Sequence, residues 1–198
     1  MQAAERDTPR VQAARALSRD LSATLDLRRV QFIDESGINL AMTRLYGRAP
    51  RGERALGSAP QNDGQHVTIL GALSCRGLEA VMTIEGATDA DVFRADVREV
   101  LCPTLREGDL VIADNLSAHQ VAGVQEAIAA TGARLLYLPP DSPDLNPIER
   151  CWSKIKTCLR AAKARTREAL DTAVTRALAP VTASEARAWF AHSGYVLH

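Results

Sequence analysis

Asp34, Asp114 and Glu149 are the residues of this sequence whose type and setting suit metal-assisted chemistry. Asp34 follows an apolar run at 28–33 and opens the tetrad Asp34-Glu35-Ser36-Gly37. Asp114 follows the buried-strand pattern GDLVIA at 108–113, and Glu149 opens a helix after a proline-rich loop, thirty-five positions further on. Carboxylates at the ends of neighbouring strands can converge in the crevice at a sheet edge, where ligands of open α/β sheets tend to sit. Mg²⁺ prefers hard oxygen donors, keeps several waters, and takes one or two carboxylates from a protein. Two such ions, roughly 3.5–4 Å apart, would stabilise both the attacking and the leaving oxygen of a displacement at a phosphodiester. Each acid also suits a purely structural task. Asp34 can start a turn and Asp114 can cap the following helix. The run Asn146-Pro147-Ile148-Glu149 reads as an N-cap, a proline at the first helical position and a capping-box glutamate.

The elements that must position these acids are legible in the apolar periodicity. Helix is expected over 9–25, strand over 28–33, and a second extended segment over 38–46 that leads into the basic turn 47–52. Strands at 66–73 and 78–84 form a plausible hairpin about Arg76-Gly77. Helix at 88–101, strand at 108–113, helix at 117–130 and strand at 133–138 follow, then the loop 139–147 and helices at 148–160, 166–179 and 184–191. Early strands followed by alternating strand and helix argue for a mixed α/β sheet. The expected organisation is a lead-in helix at 1–27, a catalytic domain at 28–165, and a helical extension of that domain at 166–198.

Composition excludes several classes. Apolar residues make up 46% of the 198, which fits a globular chain and not a disordered one. There is no apolar run of membrane-spanning length and no apolar leader, so a cytosolic protein without a membrane partner is the expectation. Cys75, Cys102, Cys151 and Cys158 form no C-x-x-C pair and have no zinc-like spacing to the histidines, so they read as buried thiols. Net charge is zero, yet Arg150, Lys154, Lys156, Arg160, Lys163, Arg165 and Arg167 follow Glu149 with no acid among them until Glu168. A lone run of this kind is a solvated helix face. Its position directly after Glu149 gives it a second reading as a phosphate-tracking surface.

The segments FIDESG (32–37), IADNLSAH (112–119) and LPPDSPDLNPIE (138–149) resemble the three catalytic blocks of DDE transposases, in the mariner-like branch with many bacterial insertion-sequence enzymes. SPDLNPIE is the most specific of them. The resemblance implies a ribonuclease H-like fold, a mixed five-stranded sheet flanked by helices. It implies that Asp34 bridges two Mg²⁺ ions (Mn²⁺ substituting) while Asp114 and Glu149 each complete one shell. It further implies hydrolysis at transposon ends of double-stranded DNA to expose a 3′-OH, joining of that hydroxyl to target DNA, and a homodimer on DNA in the bacterial cytosol.

Asn115 and His119 match recurrent residues of the second block, and Asn146 is expected to cap the helix and so position Glu149. Arg44, Arg48, Arg51 and Arg54, with Arg150, Lys154, Lys156 and Arg160, are the candidate DNA contacts. Asp141 stands where many relatives have tyrosine, and Gln120 where lysine often follows the histidine. Family members usually carry N-terminal helix-turn-helix modules. None fits before Asp34, so a separately encoded partner bearing that module is a further expectation. Two other readings stay open: a catalytically silent remnant that binds DNA or a partner, and a stand-alone ribonuclease H-like nuclease.

Overall fold

A computed structural model describes residues 4–115 and 122–196. Val30–Asn39 forms β1, and its alternation sorts side chains onto two faces of the sheet. Phe32 and Ile38 enter one apolar cluster, and Ile33 enters the other. The further strands are β2 (His66–Ser74), β3 (Gly77–Glu85), β4 (Leu110–Ala113) and β5 (Arg134–Tyr137), in the spatial order β3-β2-β1-β4-β5. β2 runs antiparallel to both β1 and β3, whereas β1, β4 and β5 are mutually parallel. Among the described residues the sheet is flanked by α1 (Pro9–Ser22), α2 (Ala90–Asp96), α3 (Val124–Ala130), α4 (Ile148–Ala162), α5 (Arg167–Leu178) and α6 (Ala183–His192).

One face is covered by α4, whose apolar stripe Ile148, Cys151, Trp152, Ile155 and Leu159 has the spacing of a single helix face. Leu170 and Val174 of α5 and Phe190 of α6 extend the same cluster, so these helices share the core of the sheet. On the other face Phe93, Val97, Leu101, Val124 and Ile128 pack against Ile33, Val111 and Ala113. Gly71 of β2 lies opposite Asp34, and a Cβ there would stand 3.0 Å from Cη2 of Trp152. The absence of a side chain at Gly71 therefore lets α4 seat closely beside Asp34.

Several expectations are corrected. Asp34 does not end its strand: pairing with β2 continues to Asn39 opposite His66, carrying the backbone through the turn-like Asp-Glu-Ser-Gly. The separate extended segment at 38–46 is thus the end of β1 followed by irregular chain, with Arg165 holding the carbonyls of Leu40 and Met42. The helix expected over 88–101 is α2 followed by a π-helical turn, Val97–Leu101. Cys75 and Cys151 are buried as expected, but Cys102 is half-buried and Cys158 exposed.

Candidate active site

Parallel pairing of β1 with β4 ends at Ile33 and Ala113. The next residue of each strand is an acid, Asp34 and Asp114. Alternation from Phe32 and Ile112, both in the cluster beneath α4, turns these two carboxylates toward the α4 face. Glu149 stands in the first turn of α4. Asp114, Asn115, Asn146 and Glu149 line one cavity of about 250 Å³, walled by the proline-rich loop.

The electrostatics of the acids tie them together. Asp34 is only 7% exposed. Burial pushes its carboxyl well above the ordinary carboxylate range, and the charges of Glu149, Asp114 and Glu35 push it further. One oxygen accepts the backbone N–H of Glu35 at 2.8 Å, which works in the opposite direction. Glu149 keeps a solvent-facing side, yet partial desolvation raises its carboxyl; Lys156 lowers it, and Asp114 and Glu35 raise it again.

Asn146 does not cap α4. The chain enters the helix through the 3-10 turn Pro143–Leu145, and the Glu149 amide donates to the carbonyl of Asn146. The N-cap position falls on Pro147 with no side-chain cap bond, so no capping box forms at Glu149. Freed from that task, the Asn146 side chain (3% exposed) turns to the sheet and its Nδ2 donates to Asp34 Oδ2 at 3.3 Å. Its Oδ1 is buried without a hydrogen-bond partner among the described residues. A contact between a loop amide and the carboxylate of a distant strand leaves no local trace in sequence.

The site's donors are all oxygens, the chemistry preferred by Mg²⁺ and Mn²⁺. Among the described residues no three His, Cys, Asp or Glu side chains stand as one ready ligand cluster. Burial raises Asp34 most and repulsion by its acidic neighbours raises it further; that repulsion is what a cation would relieve. The donor chemistry of the acids therefore suits a divalent metal.

The candidate cationic contacts divide. Arg44, Lys156 and Arg160 line a cleft of about 540 Å³ that includes Gly37–Asn39, the continuation of β1 beyond Asp34. Arg48, Arg51 and Arg54 are exposed and do not line this cleft. Lys154 turns away to Glu185 (2.7 Å) and the carbonyl of Pro180, and Arg150 meets His192. Asn115 is exposed at the cavity, and Asp141 beside it takes a left-handed φ of 53°, which aspartate tolerates. His119 and Gln120 lie outside the described residues.

A sequence model of the DDE superfamily endonuclease matches residues 29–171, and the chain belongs to this family. No curated protein matches it by sequence. Among solved structures, the Mos1 strand transfer complex is similar at 16% identity and TM-score 0.74, covering 98% of this chain and 60% of that one. The Mos1 mariner paired-end complex with Mn is similar at 15% identity and TM-score 0.76, covering 98% and 61%. The catalytic domain of Mos1 mariner transposase, at 13% identity and TM-score 0.66, is covered to 98% by the whole of this chain. These likenesses show the fold, which is ribonuclease H-like. The chain spans about 60% of the length of the Mos1 chains in these two complexes.

Proposed function

We propose that this chain is the metal-dependent catalytic core of a DNA transposase, with Asp34, Asp114 and Glu149 as the metal-holding triad. The observation that carries the reading is the register: pairing of β1 and β4 ends one residue before both aspartates, on the face where α4 presents Glu149. Asp34, whose carboxyl feels the charges of both other acids, would help to hold both ions, with Asp114 and Glu149 each holding one. Two bound Mg²⁺ or Mn²⁺ would supply charge stabilisation for the attacking and leaving oxygens of a phosphodiester. Asn146 holds the Asp34 carboxylate against the loop through one hydrogen bond. Lys156, whose charge reaches Glu149, and Arg44 and Arg160 across the cleft line a path for the DNA backbone. Such phosphate contacts set the position of the duplex and leave sequence choice to other groups.

Hydrolysis at a transposon end exposes a 3′-OH, and joining that hydroxyl to target DNA completes the reaction proposed here. A homodimer on double-stranded DNA, a partner bearing a helix-turn-helix module, and a place on the bacterial nucleoid belong to the same proposal. No helix of the described residues is long and apolar enough to cross a membrane. The test is nicking of supercoiled plasmid in Mn²⁺ by this chain beside Asp114→Ala, followed by joining of a 3′-OH oligonucleotide to a second DNA. Nicking that is lost in the variant, with joining, supports the reading. Nicking without joining supports a stand-alone nuclease, and nicking retained by Asp114→Ala refutes the triad.

A further inference from the structure

The loop 139–147 that delivers Asn146 and Glu149 contains Pro139, Pro140, Pro143 and Pro147. Four prolines remove four backbone donors, so a loop of this composition has few backbone bonds with which to anchor itself. Its anchors come from the two ends of the chain. Arg15 of α1 is 1% exposed. Its guanidinium donates to Ser142 Oγ at 2.6 Å and to both oxygens of Asp144 at 3.1 and 2.7 Å. Desolvating an arginine is costly unless its donors are met, and the planar fork fixes direction as well as distance. Burial raises the Asp144 carboxyl, but the hydrogen bond and charge of Arg15, helped by Arg6, hold it below the ordinary carboxylate range.

Tyr195 grips the loop from the other side. It is 3% exposed, and its hydroxyl donates to the carbonyl of Leu145 at 2.9 Å, one residue before Asn146. Its ring packs edge-on against Phe32 at 5.0 Å between centroids. Phe32 lies two residues before Asp34 on the same face of β1. Tyr195 thus connects the strand that carries the first acid to the loop that carries the third. Arg15 and Tyr195 both lie beyond the residues matched by the family, 29–171.

We propose that Arg15 and Tyr195 are positioning residues that clamp the 139–147 loop onto β1, so that Asn146 meets Asp34 and Glu149 enters the metal site. This rests on the triad reading given above. The clamp explains why an arginine is buried in α1 and why the last described turn of the chain folds back onto the core.

The test uses the whole chain with Tyr195→Phe, which removes one hydroxyl, and Arg15→Met and Arg15→Lys. Val174→Ala in α5 serves as a control that destabilises the core at a residue that makes no hydrogen bond to the loop. Metal-free circular dichroism and melting report the fold, amide hydrogen exchange reports residues 143–149, and calorimetric titration with Mn²⁺ alone reports affinity. The expected result for Tyr195→Phe is an unchanged fold, faster exchange at 143–149, and Mn²⁺ binding weakened roughly tenfold. Arg15→Met is expected to do the same or more, with Arg15→Lys between it and the unaltered chain, while Val174→Ala lowers the melting temperature and leaves Mn²⁺ affinity alone. Exchange and affinity unchanged in Tyr195→Phe and both Arg15 variants would overturn the clamp, as would equal weakening by Val174→Ala. If the unaltered chain binds no Mn²⁺, or Asp34→Ala binds it equally well, the triad reading fails; the exchange measurement still decides whether the clamp exists.

Discussion

Replacing Gly71 by alanine strikes the packing that seats α4 beside the first acid. The new methyl would stand 3.0 Å from Cη2 of Trp152 and 3.4 Å from Cδ1 of Leu78. Carbon atoms in ordinary contact are about 3.5–4.0 Å apart, so the indole must retreat by about 0.5–1 Å. Trp152 is 2% exposed and enclosed by the core, and overpacking of that kind costs about 1–3 kcal/mol. For a domain of this size, each kcal/mol lowers the melting temperature by about 2–4 °C. Trp152 follows Glu149 by less than one helical turn, so displacement of the ring is passed to the acid and the stabilisation given by Mn²⁺ also shrinks. The assay is thermal melting with and without Mn²⁺ for Gly71→Ala, Trp152→Phe and the double variant. Phenylalanine lacks the offending outer ring atoms, so the double variant should be more stable than the two single losses add up to. A coupling of about 1 kcal/mol or more is expected for side chains in contact. Strict additivity, or a Gly71→Ala chain that melts like the unaltered one, would refute the packing argument.

Asp34→Asn removes a buried charge repelled by its neighbours, so the metal-free variant should melt higher at pH 7 while gaining less from Mn²⁺. The unaltered chain should gain about 2.7 kcal/mol at a hundred times the dissociation constant, and a variant with the full gain would contradict the shared site. Asp96 is pushed up to about 6 by burial, above its unfolded value of 3.8, so the folded chain binds this proton more tightly. That contribution is complete below pH 3.8 and is lost as pH rises through about 6. Asp96→Asn should therefore stabilise by roughly 1–2 kcal/mol at pH 7 and by little at pH 4, read by melting across that range. Lys156→Ala should reduce the salt dependence of DNA binding by about one counterion with little change in melting. Lys154→Ala should leave that slope unchanged and lower the melting temperature slightly, because its partner is Glu185.

Sequence patterning reaches far in this chain where the cause is local. Alternation and buried runs place β2, β3, β4 and β5 within a residue or two, and a single stripe marks α4. Asp114 and Glu149 stand out because each lies beside a strand or helix boundary, whereas Asp34 lies inside β1 and is marked only by its block. What is illegible depends on contacts between distant segments. Asp-Glu-Ser-Gly carries turn residues, yet pairing with β2 keeps it extended. Asn146 has the composition of a helix cap, but the 3-10 entry satisfies the Glu149 amide and the side chain bonds Asp34 instead. Arg15 looks like any solvated helix arginine until Ser142 and Asp144 are brought against it. Lys154 and Lys156 are alike in sequence, and only the helix phase and the approach of α6 send one to Glu185 and the other to the cleft.

The central claim is that Asp34, Asp114 and Glu149 together hold the catalytic metals. Anomalous scattering at the manganese edge from crystals soaked in MnCl₂ tests it most directly. Two peaks roughly 3.5–4 Å apart in contact with the three carboxylates are expected, and both should be lost in Asp34→Ala crystals. Peaks only at other carboxylates, or none beside Asp34 with the acids ordered, would contradict it.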